Sequence, residues 1–240
     1  HIGACQKIYE VMRGIHGKSW KPSHIIGTSG GSIVAAYLAS GYSPEEALEY
    51  SKSLLPRDVI KPNWKCFFRN HWGLMTLEDL EKQLEINICQ RFCDVKTSLS
   101  IIVTDVTDKN TIVFSNDKTP KFSVAKAVRA SATIPVIFDT FRLKGSDVLI
   151  ADGGVTNNYA IDLAEGPAIG IRLLAENDGL RKTPDSFLEY LMAVFDSMMS
   201  TIAREHIEDA GKFARTINII VPFNSMDFWK LDSDAVERLY

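Results

Sequence analysis

Ser29 lies between two glycines in a pattern that could turn its hydroxyl into a nucleophile. The Gly-x-Ser-x-Gly sequence of Gly27, Ser29 and Gly31 follows a short strand predicted at residues 23–26 and precedes an Ala-rich segment, residues 32–38. A sharp turn from a strand into a helix exposes such a serine, while the helix directs its first amides at the place where an oxyanion would form. The pattern therefore predicts a nucleophile elbow. A glycine-rich turn without a catalytic role is the alternative.

A nucleophilic serine needs a base, and the chain offers two kinds. The histidines are unpromising, since His24 lies in the strand before the elbow and His206 lies inside a long helical segment. Asp152, with Gly153 and Gly154 after it, follows the apolar residues 148–151, so a carboxylate is expected at the carboxyl end of a strand. The glycines would let the backbone approach Ser29. A Ser29–Asp152 dyad, a histidine-using triad and a simple Asp-Gly turn all remain open at this point.

The elements that must position these side chains follow from apolar spacing and from helix caps. Strands alternate with helices, which predicts an α/β fold: a three-layer α/β/α sandwich around a central, mostly parallel sheet, in one domain spanning residues 1–240. Helices are predicted between residues 3 and 17, at 32–38, from 43 towards 55, from 76, at 123–130 and at roughly 185–210. Strands are predicted at 23–26, 99–104, 111–114, 148–151, 168–173 and 217–221.

Composition narrows the classes of function. The 240 residues are 45% hydrophobic with a formal net charge of −3, so no basic field is present to hold nucleic acid. No apolar run reaches the roughly 18–20 residues that span a bilayer, so any membrane contact is expected at a surface. Residues 56–73 predict a long aromatic and basic loop, either a mouth that meets lipid or a lid packed on the sheet. In the helix predicted at residues 185–210, apolar residues recur at helical spacing along one face, and we expect that face to pack in the core.

Several blocks of the sequence, in order, resemble the patatin-like phospholipases, a family of lipid acyl hydrolases that use a Ser-Asp dyad. The elbow and the Asp152 segment are two of these blocks. The likeness is strongest up to residue 164 and traceable to the end of the chain. The blocks are residues 27–32, 39–46, 104–106, 113–115, 127–135, 152–158 and 226–231.

The resemblance implies a role for each matching residue. It implies that Ser29 attacks a lipid ester, that Asp152 is the base and that the Gly30 amide is an oxyanion donor, without metal or cofactor. It implies a phospholipase A or lysophospholipase activity through an acyl-serine intermediate on phospholipid or another acyl lipid at a membrane surface. Whether a protein activator is needed stays open. We expect a location in the cytoplasm or at a membrane surface, with a secreted effector as the alternative.

One family feature has no counterpart in this sequence. The family's glycine-rich loop, G-G-G-x-[KR]-G, would precede the helix that begins near His1, and its amides supply most of the oxyanion hole. We therefore expect a chain truncated at its N-terminus, in which restoring the upstream residues would speed hydrolysis. The rival hypotheses are a histidine-using α/β-hydrolase for small soluble esters and a catalytically dead module that binds lipid surfaces.

Overall fold

A computed structural model describes residues 1–65, 72–143, 145–175, 183–209 and 214–221. Its helices are α1 (Ile2–His16), α2 (Gly30–Ser40), α3 (Pro44–Ser51), α4 (Pro56–Val59), α5 (Glu78–Asn87), α6 (Val124–Ser131), α7 (Gly154–Asn157) and α8 (Phe187–Asp209). Its strands are β1 (His24–Thr28), β2 (Lys61–Pro62), β3 (Met75–Thr76), β4 (Ser98–Asp105), β5 (Asn110–Ser115), β6 (Phe141–Arg142), β7 (Leu149–Asp152), β8 (Ala168–Ala175) and β9 (Ala214–Val221).

Strand β4 is the centre of the main sheet. On one side it pairs with β1, in parallel, along its first five residues and with β7, antiparallel, along its last three. On its other side β5 pairs with it as an antiparallel hairpin, and β6 extends β7. The predicted α/β class with a central sheet is confirmed. The sheet is mixed rather than mostly parallel, because β5 and β7 both run antiparallel to β4; β8 and β9 form a parallel pair of their own.

Helices cover both faces of the main sheet. The β4 side chains Leu99, Ile101 and Val103 are fully buried in one core together with alanines of α2 and α6. On the opposite face, Thr104 Oγ1 lies 2.9 Å from Thr156 Oγ1 of α7, and α8 packs on α7. Because a strand points successive side chains to opposite faces, a strand buried along nearly its whole length must be covered on both.

Side-chain caps lie at the predicted starts of α3 and α6. Ser43 Oγ accepts the Glu46 N–H at 3.2 Å and Glu46 Oε2 accepts the Ser43 N–H at 2.8 Å, which is a capping box with Pro44 at the first helical position. Ser123 Oγ accepts the Lys126 N–H at the start of α6. These caps satisfy amides that have no partner within the helix, so they fix where α3 and α6 begin. Both predicted starts are confirmed.

Two further predictions need correction. Residues 56–62, expected to be part of a loop, form α4 and β2, and β2 pairs with β3; residues 66–71 of the same segment lie outside the described residues. The α8 stripe is not uniformly core: Met192 is buried, whereas Phe187 is 76% and Met198 52% exposed. A helical stripe shows which side chains share a face, but neighbouring elements decide whether that face is covered. Within the described part of the chain, no helix has the length and apolarity to cross a bilayer.

Candidate active site

Ser29 stands at the sharp turn between β1 and α2. Its φ of 51° and ψ of −132° leave the ordinary regions for a residue with a Cβ, so the turn holds it in a strained conformation. The turn can be this tight because Gly27 lets the helix approach the strand. A Cβ on Gly27 would lie 2.6 Å from the Cα of Ser32 and 2.8 Å from the Cβ of Ala35. The strand, turn and helix predicted around Ser29 are all present.

Asp152 is the partner of the Ser29 hydroxyl. Ser29 Oγ donates a hydrogen bond to Asp152 Oδ2 at 2.6 Å, although 123 residues separate them. The register of β4 explains the meeting: Thr28 pairs with Ile102, and Asp152 pairs with the next residue, Val103. The carboxyl ends of β1 and β7 therefore meet along the same edge of β4. The structure thus brings together the serine and the carboxylate that the sequence singled out.

The surroundings of Asp152 favour a proton acceptor near neutral pH. Its side chain is fully buried, and burial raises its pKa to about 6 because the charged form loses hydration. Two hydrogen bonds oppose that rise, one from the Ser29 hydroxyl and one from the Gly154 N–H to Oδ1 at 2.7 Å. At pH 7 the carboxylate is mostly ionised, yet it is far more basic than an exposed aspartate.

The glycine after Asp152 lies against the backbone of the sheet. A Cβ on Gly153 would collide with the carbonyl group of Ile102 and lie 3.0 Å from Thr28 Cγ2. The N–H of Gly153 donates to the Ser131 carbonyl at 3.2 Å, and Gly154 opens α7. The close approach that the sequence predicted for these glycines therefore brings the Asp152 turn onto β4 and β1.

The first turn of α2 presents amides beside the serine. Gly30 and Gly31 are its first two residues, and the Ser32 N–H is the first to turn back, to the Ser29 carbonyl at 2.9 Å. A Cβ on Gly30 would meet nothing within 4 Å, so the space next to it is open. The neighbour nearest to such an atom on Gly31 is His1 Cε1, at 3.9 Å. Gly30 and Gly31 thus follow Ser29 directly at the start of α2, with open space at Gly30 and His1 near Gly31.

Sequence reasoning gave no role to two residues that hold this site. Ser131 Oγ accepts the Ser29 N–H at 2.8 Å, and the Thr133 carbonyl accepts the Asp152 N–H at 2.8 Å. Both residues lie in the 127–135 block that resembles the family, which was the available signal. No spacing rule connects a serine at the end of a helix to a turn 102 residues earlier.

His1 lies beside Gly31 of the elbow, whereas two other described histidines contact residues outside the candidate dyad. His24 Nε2 lies 2.9 Å from Ser100 Oγ on β4. His206 Nδ1 lies 3.1 Å from Asp162 Oδ1, and its Nε2 faces the Thr156 carbonyl. Among the residues that the structure describes, no group of three or more His, Cys, Asp or Glu side chains could hold a metal ion.

Comparisons with known proteins gave one family model, three relatives and a solved structure. The family model described as patatin-like phospholipase matches residues 1–165. The uncharacterized protein YqhO of Bacillus subtilis is 29% identical, over 91% of this chain and 82% of its own. The uncharacterized protein R571 of Acanthamoeba polyphaga mimivirus is 30% identical over 90% of this chain and 78% of its own, and the probable lipid hydrolase 463L of Invertebrate iridescent virus 6 is 30% identical over 68% and 60%. The crystal structure of VipD from Legionella pneumophila aligns with a TM-score of 0.44 at 14% identity, over 99% of this chain and 64% of that one.

Proposed function

Since the chain belongs to the patatin-like phospholipase family, we propose that it is a lipid acyl hydrolase in which Ser29 and Asp152 form a catalytic dyad, within a single catalytic domain. The observation that supports the dyad best is the 2.6 Å hydrogen bond from Ser29 Oγ to the fully buried Asp152 carboxylate. A related viral protein is named a probable lipid hydrolase, which supports an acyl lipid as the substrate class. The activity we propose is of the phospholipase A or lysophospholipase type.

The first half of the reaction acylates Ser29. Ser29 Oγ attacks the ester carbonyl carbon while its proton passes to Asp152 Oδ2. The negative charge that develops on the carbonyl oxygen falls beside the amides of Gly30 and Gly31 at the positive end of α2. When the carbon–oxygen bond breaks, the leaving alcohol takes the proton from Asp152, and a fatty acyl group remains on Ser29.

The second half releases the fatty acid. A water molecule gives its proton to Asp152 and attacks the acyl carbon, and the Ser29 oxygen then leaves and recovers a proton from Asp152. Asp152 can accept and return the proton because its raised pKa of about 6 lies close to neutral pH. A carboxylate with an ordinary pKa would be a weaker base for the same hydroxyl.

The geometry favours this proposal over a histidine-using triad. His206 pairs with Asp162 and His24 faces Ser100, whereas Asp152 holds the Ser29 hydroxyl. A dead lipid-binding module would have no need for a strained serine against a buried carboxylate of raised pKa. Reactivity of Ser29 is therefore the property that separates the remaining alternatives.

A fluorophosphonate probe tests the dyad directly. We expect the folded protein to be labelled on Ser29, with Ser29→Ala as the unlabelled control. Because Asp152 must be ionised to accept the proton, the labelling rate should fall about tenfold per pH unit below the pKa of about 6 and level off above it. Peptide mass mapping identifies the labelled serine, and a pH series measures the fall of the labelling rate on the acidic side, the acidic limb. A folded protein that stays unlabelled, or is labelled at another serine, would contradict the proposal.

A lipid surface is the partner that we propose for one exposed patch. The aromatic rim consists of Trp64, Trp72, Leu74 and Val136, each at least half exposed, with Trp64 at 82%. Their backbones adjoin, since the Leu74 N–H donates to the Val136 carbonyl and the Leu74 carbonyl accepts from the residue before Trp64. Exposed tryptophans beside the exposed Lys65 suit the level of anionic lipid headgroups. This exposure favours the lipid-facing interpretation over a lid packed on the sheet.

The aromatic rim adjoins the dyad through the chain. Val136 follows Thr133 by three residues, a stretch that reaches at most about 10 Å, and the Thr133 carbonyl holds the Asp152 N–H. Val136 also has a φ of 71°, which is unfavourable for a β-branched residue. An apolar side chain is thus held outward in a strained loop next to the site, where it could meet the lipid that supplies the substrate.

Removing the two tryptophans should separate lipid docking from chemistry. We expect Trp64→Ser with Trp72→Ser to lower hydrolysis of anionic phospholipid vesicles about tenfold or more, because each ring loses burial worth about 1.5–3 kcal/mol. Hydrolysis of a soluble short-chain ester should not change. Ile15→Ser removes another exposed side chain, 68% accessible on α1, and should leave both rates unchanged. Equal loss on the soluble ester, or no loss on vesicles, would refute docking by the aromatic rim.

A further inference from the structure

Ser131 makes a buried hydrogen-bond chain behind the elbow. It is the last residue of α6 and is fully buried. Its Oγ donates to the Ile102 carbonyl of β4 at 2.6 Å and accepts the Ser29 N–H at 2.8 Å. A serine hydroxyl has one proton to donate, and here Ile102 receives it. The lone pairs of Ser131 therefore face the Ser29 amide, and the direction of this contact is fixed.

The end of α6 also holds the other half of the candidate dyad. The Ser131 carbonyl accepts the Gly153 N–H at 3.2 Å, and the Thr133 carbonyl accepts the Asp152 N–H at 2.8 Å. Ser29 and Asp152 lie on β1 and β7, which both pair with β4. One short segment, residues 131–133, thus bonds to the backbone on both sides of the 2.6 Å contact between Ser29 and Asp152.

We propose that Ser131 is a positioning residue for the Ser29–Asp152 pair: its hydroxyl holds the Ser29 amide, and with it the strained backbone from which Ser29 Oγ reaches the carboxylate. The inference rests on the proposed function for its kinetic consequences and on the geometry alone for its structural ones. The Ser29 φ of 51° is unfavourable for a residue with a Cβ, so surrounding contacts must maintain it. Ser131 bonds the Ser29 amide, and Ser32 Oγ bonds the Ser29 carbonyl at 2.5 Å.

The contact has a second consequence for the oxyanion. Because the Ser29 N–H donates into the protein, it does not face a bound ester. The amides left at the start of α2 are those of Gly30 and Gly31, next to open space at Gly30. Ser131 therefore also fixes which amides can serve the reaction. Losing it would let the turn rotate and would change both the hydroxyl and the amides.

Ser131→Ala tests the proposal. We expect kcat to fall about 100-fold with KM changed less than twofold, since a misplacement of about 1 Å suffices for such a loss. The acidic limb of the pH–rate profile should also shift to higher pH. The Ser29 hydrogen bond lowers the Asp152 pKa, and the variant would lose it. In a crystal structure of the variant, the distance from Ser29 Oγ to Asp152 Oδ2 should exceed 3.5 Å. Ser131→Cys fills the same space with a weaker hydrogen-bonding group and should give an intermediate kcat; it decides the matter if Ser131→Ala does not fold.

Ser40→Ala is the matched control. Ser40 is a buried serine on α2 whose Oγ accepts the Cys89 N–H at 3.0 Å, so its removal also leaves a backbone donor without its acceptor. It should lower Tm like Ser131→Ala but leave kcat and the acidic limb unchanged. Suppose that the wild type is labelled and active, but that the Ser131 variants keep its acidic limb and its distance from Ser29 Oγ to Asp152 Oδ2. That result would overturn the inference about Ser131 and leave the proposed function standing. An unlabelled wild type would overturn the proposed function, and the crystallographic distance would still decide the role of Ser131.

Discussion

Asp152→Asn is expected to abolish lipid hydrolysis and, in the same variant, to stabilise the fold. Asparagine can accept the Gly154 N–H and can face Ser29, but it cannot take a proton from the hydroxyl. Removing a member of such a unit costs about 10⁴-fold or more in kcat. Tm should rise because asparagine replaces a fully buried charge whose hydration is lost on folding.

The pH dependence of this stabilisation has a definite sign. The Asp152 pKa is raised from 3.8 to about 6, so the folded state binds the proton more tightly than the unfolded chain does. Stability from Asp152 is therefore fully present below pH 3.8 and lost as the pH rises through about 6. Above that pH the ionised carboxyl costs about 2–3 kcal/mol, so the variant should gain roughly 5–10 °C in Tm at pH 7. The gain should shrink towards zero near pH 4.

Two companion variants make the result specific. Asp105 is a buried carboxylate whose Oδ1 accepts the N–H groups of Thr107 and Asp108, and asparagine can accept both. Asp105→Asn should therefore leave turnover nearly unchanged. His206→Ala should keep kcat within about twofold. Turnover that survives Asp152→Asn and is lost with His206→Ala would favour a histidine as the base. Calorimetry between pH 4 and pH 7 and initial rates on a lipid ester give all the readouts.

The elbow and the candidate base were predictable because each depends on short stretches of sequence. An apolar strand, a glycine-flanked serine and an Ala-rich helix define β1, the turn and α2 locally. Asp152 followed a predictable strand in the same way. Their contact was harder to foresee, since it depends on the register of both strands along β4. A register between distant segments is set by packing in the complete fold, which apolar spacing does not reveal.

Features that needed the whole fold were missed for the same reason. The direction of β7 relative to β4 depends on the path of the chain through residues 131–148, where spacing gives little information. Nothing local in the end of α6 indicates that Ser131 bonds the Ser29 amide. The exposed side chains of α8, such as Phe187, reflect what packs beside the helix rather than its own pattern. Sequence therefore indicates which groups can react, and long-range packing decides how they are held.

Gly27→Ala is expected to have the largest effect on stability of any single methyl added at the elbow. The new Cβ would lie 2.6 Å from Ser32 Cα, 2.8 Å from Ala35 Cβ and 3.0 Å from the Gly31 carbonyl oxygen. Backbone atoms cannot swing aside as the end of a long side chain can, so α2 must move away from β1. We expect a loss of about 3 kcal/mol or more in the free energy of unfolding, a large part of the usual 5–15 kcal/mol.

The same movement of α2 would displace Ser29, so Gly27→Ala should lower activity as well as stability. The molecules that still fold should hydrolyse ester at least about 100-fold more slowly, because Ser29 Oγ would leave the reach of Asp152. Gly14→Ala is the control: Gly14 lies in α1 with nothing within 4 Å of an added Cβ, so alanine should stabilise by about 0.5–1 kcal/mol without changing the rate. Urea midpoints at an unchanged m-value measure the first effect, and rates per folded molecule measure the second. A Gly27→Ala protein as stable and as active as its parent would mean that the tight contact between β1 and α2 does not position the serine.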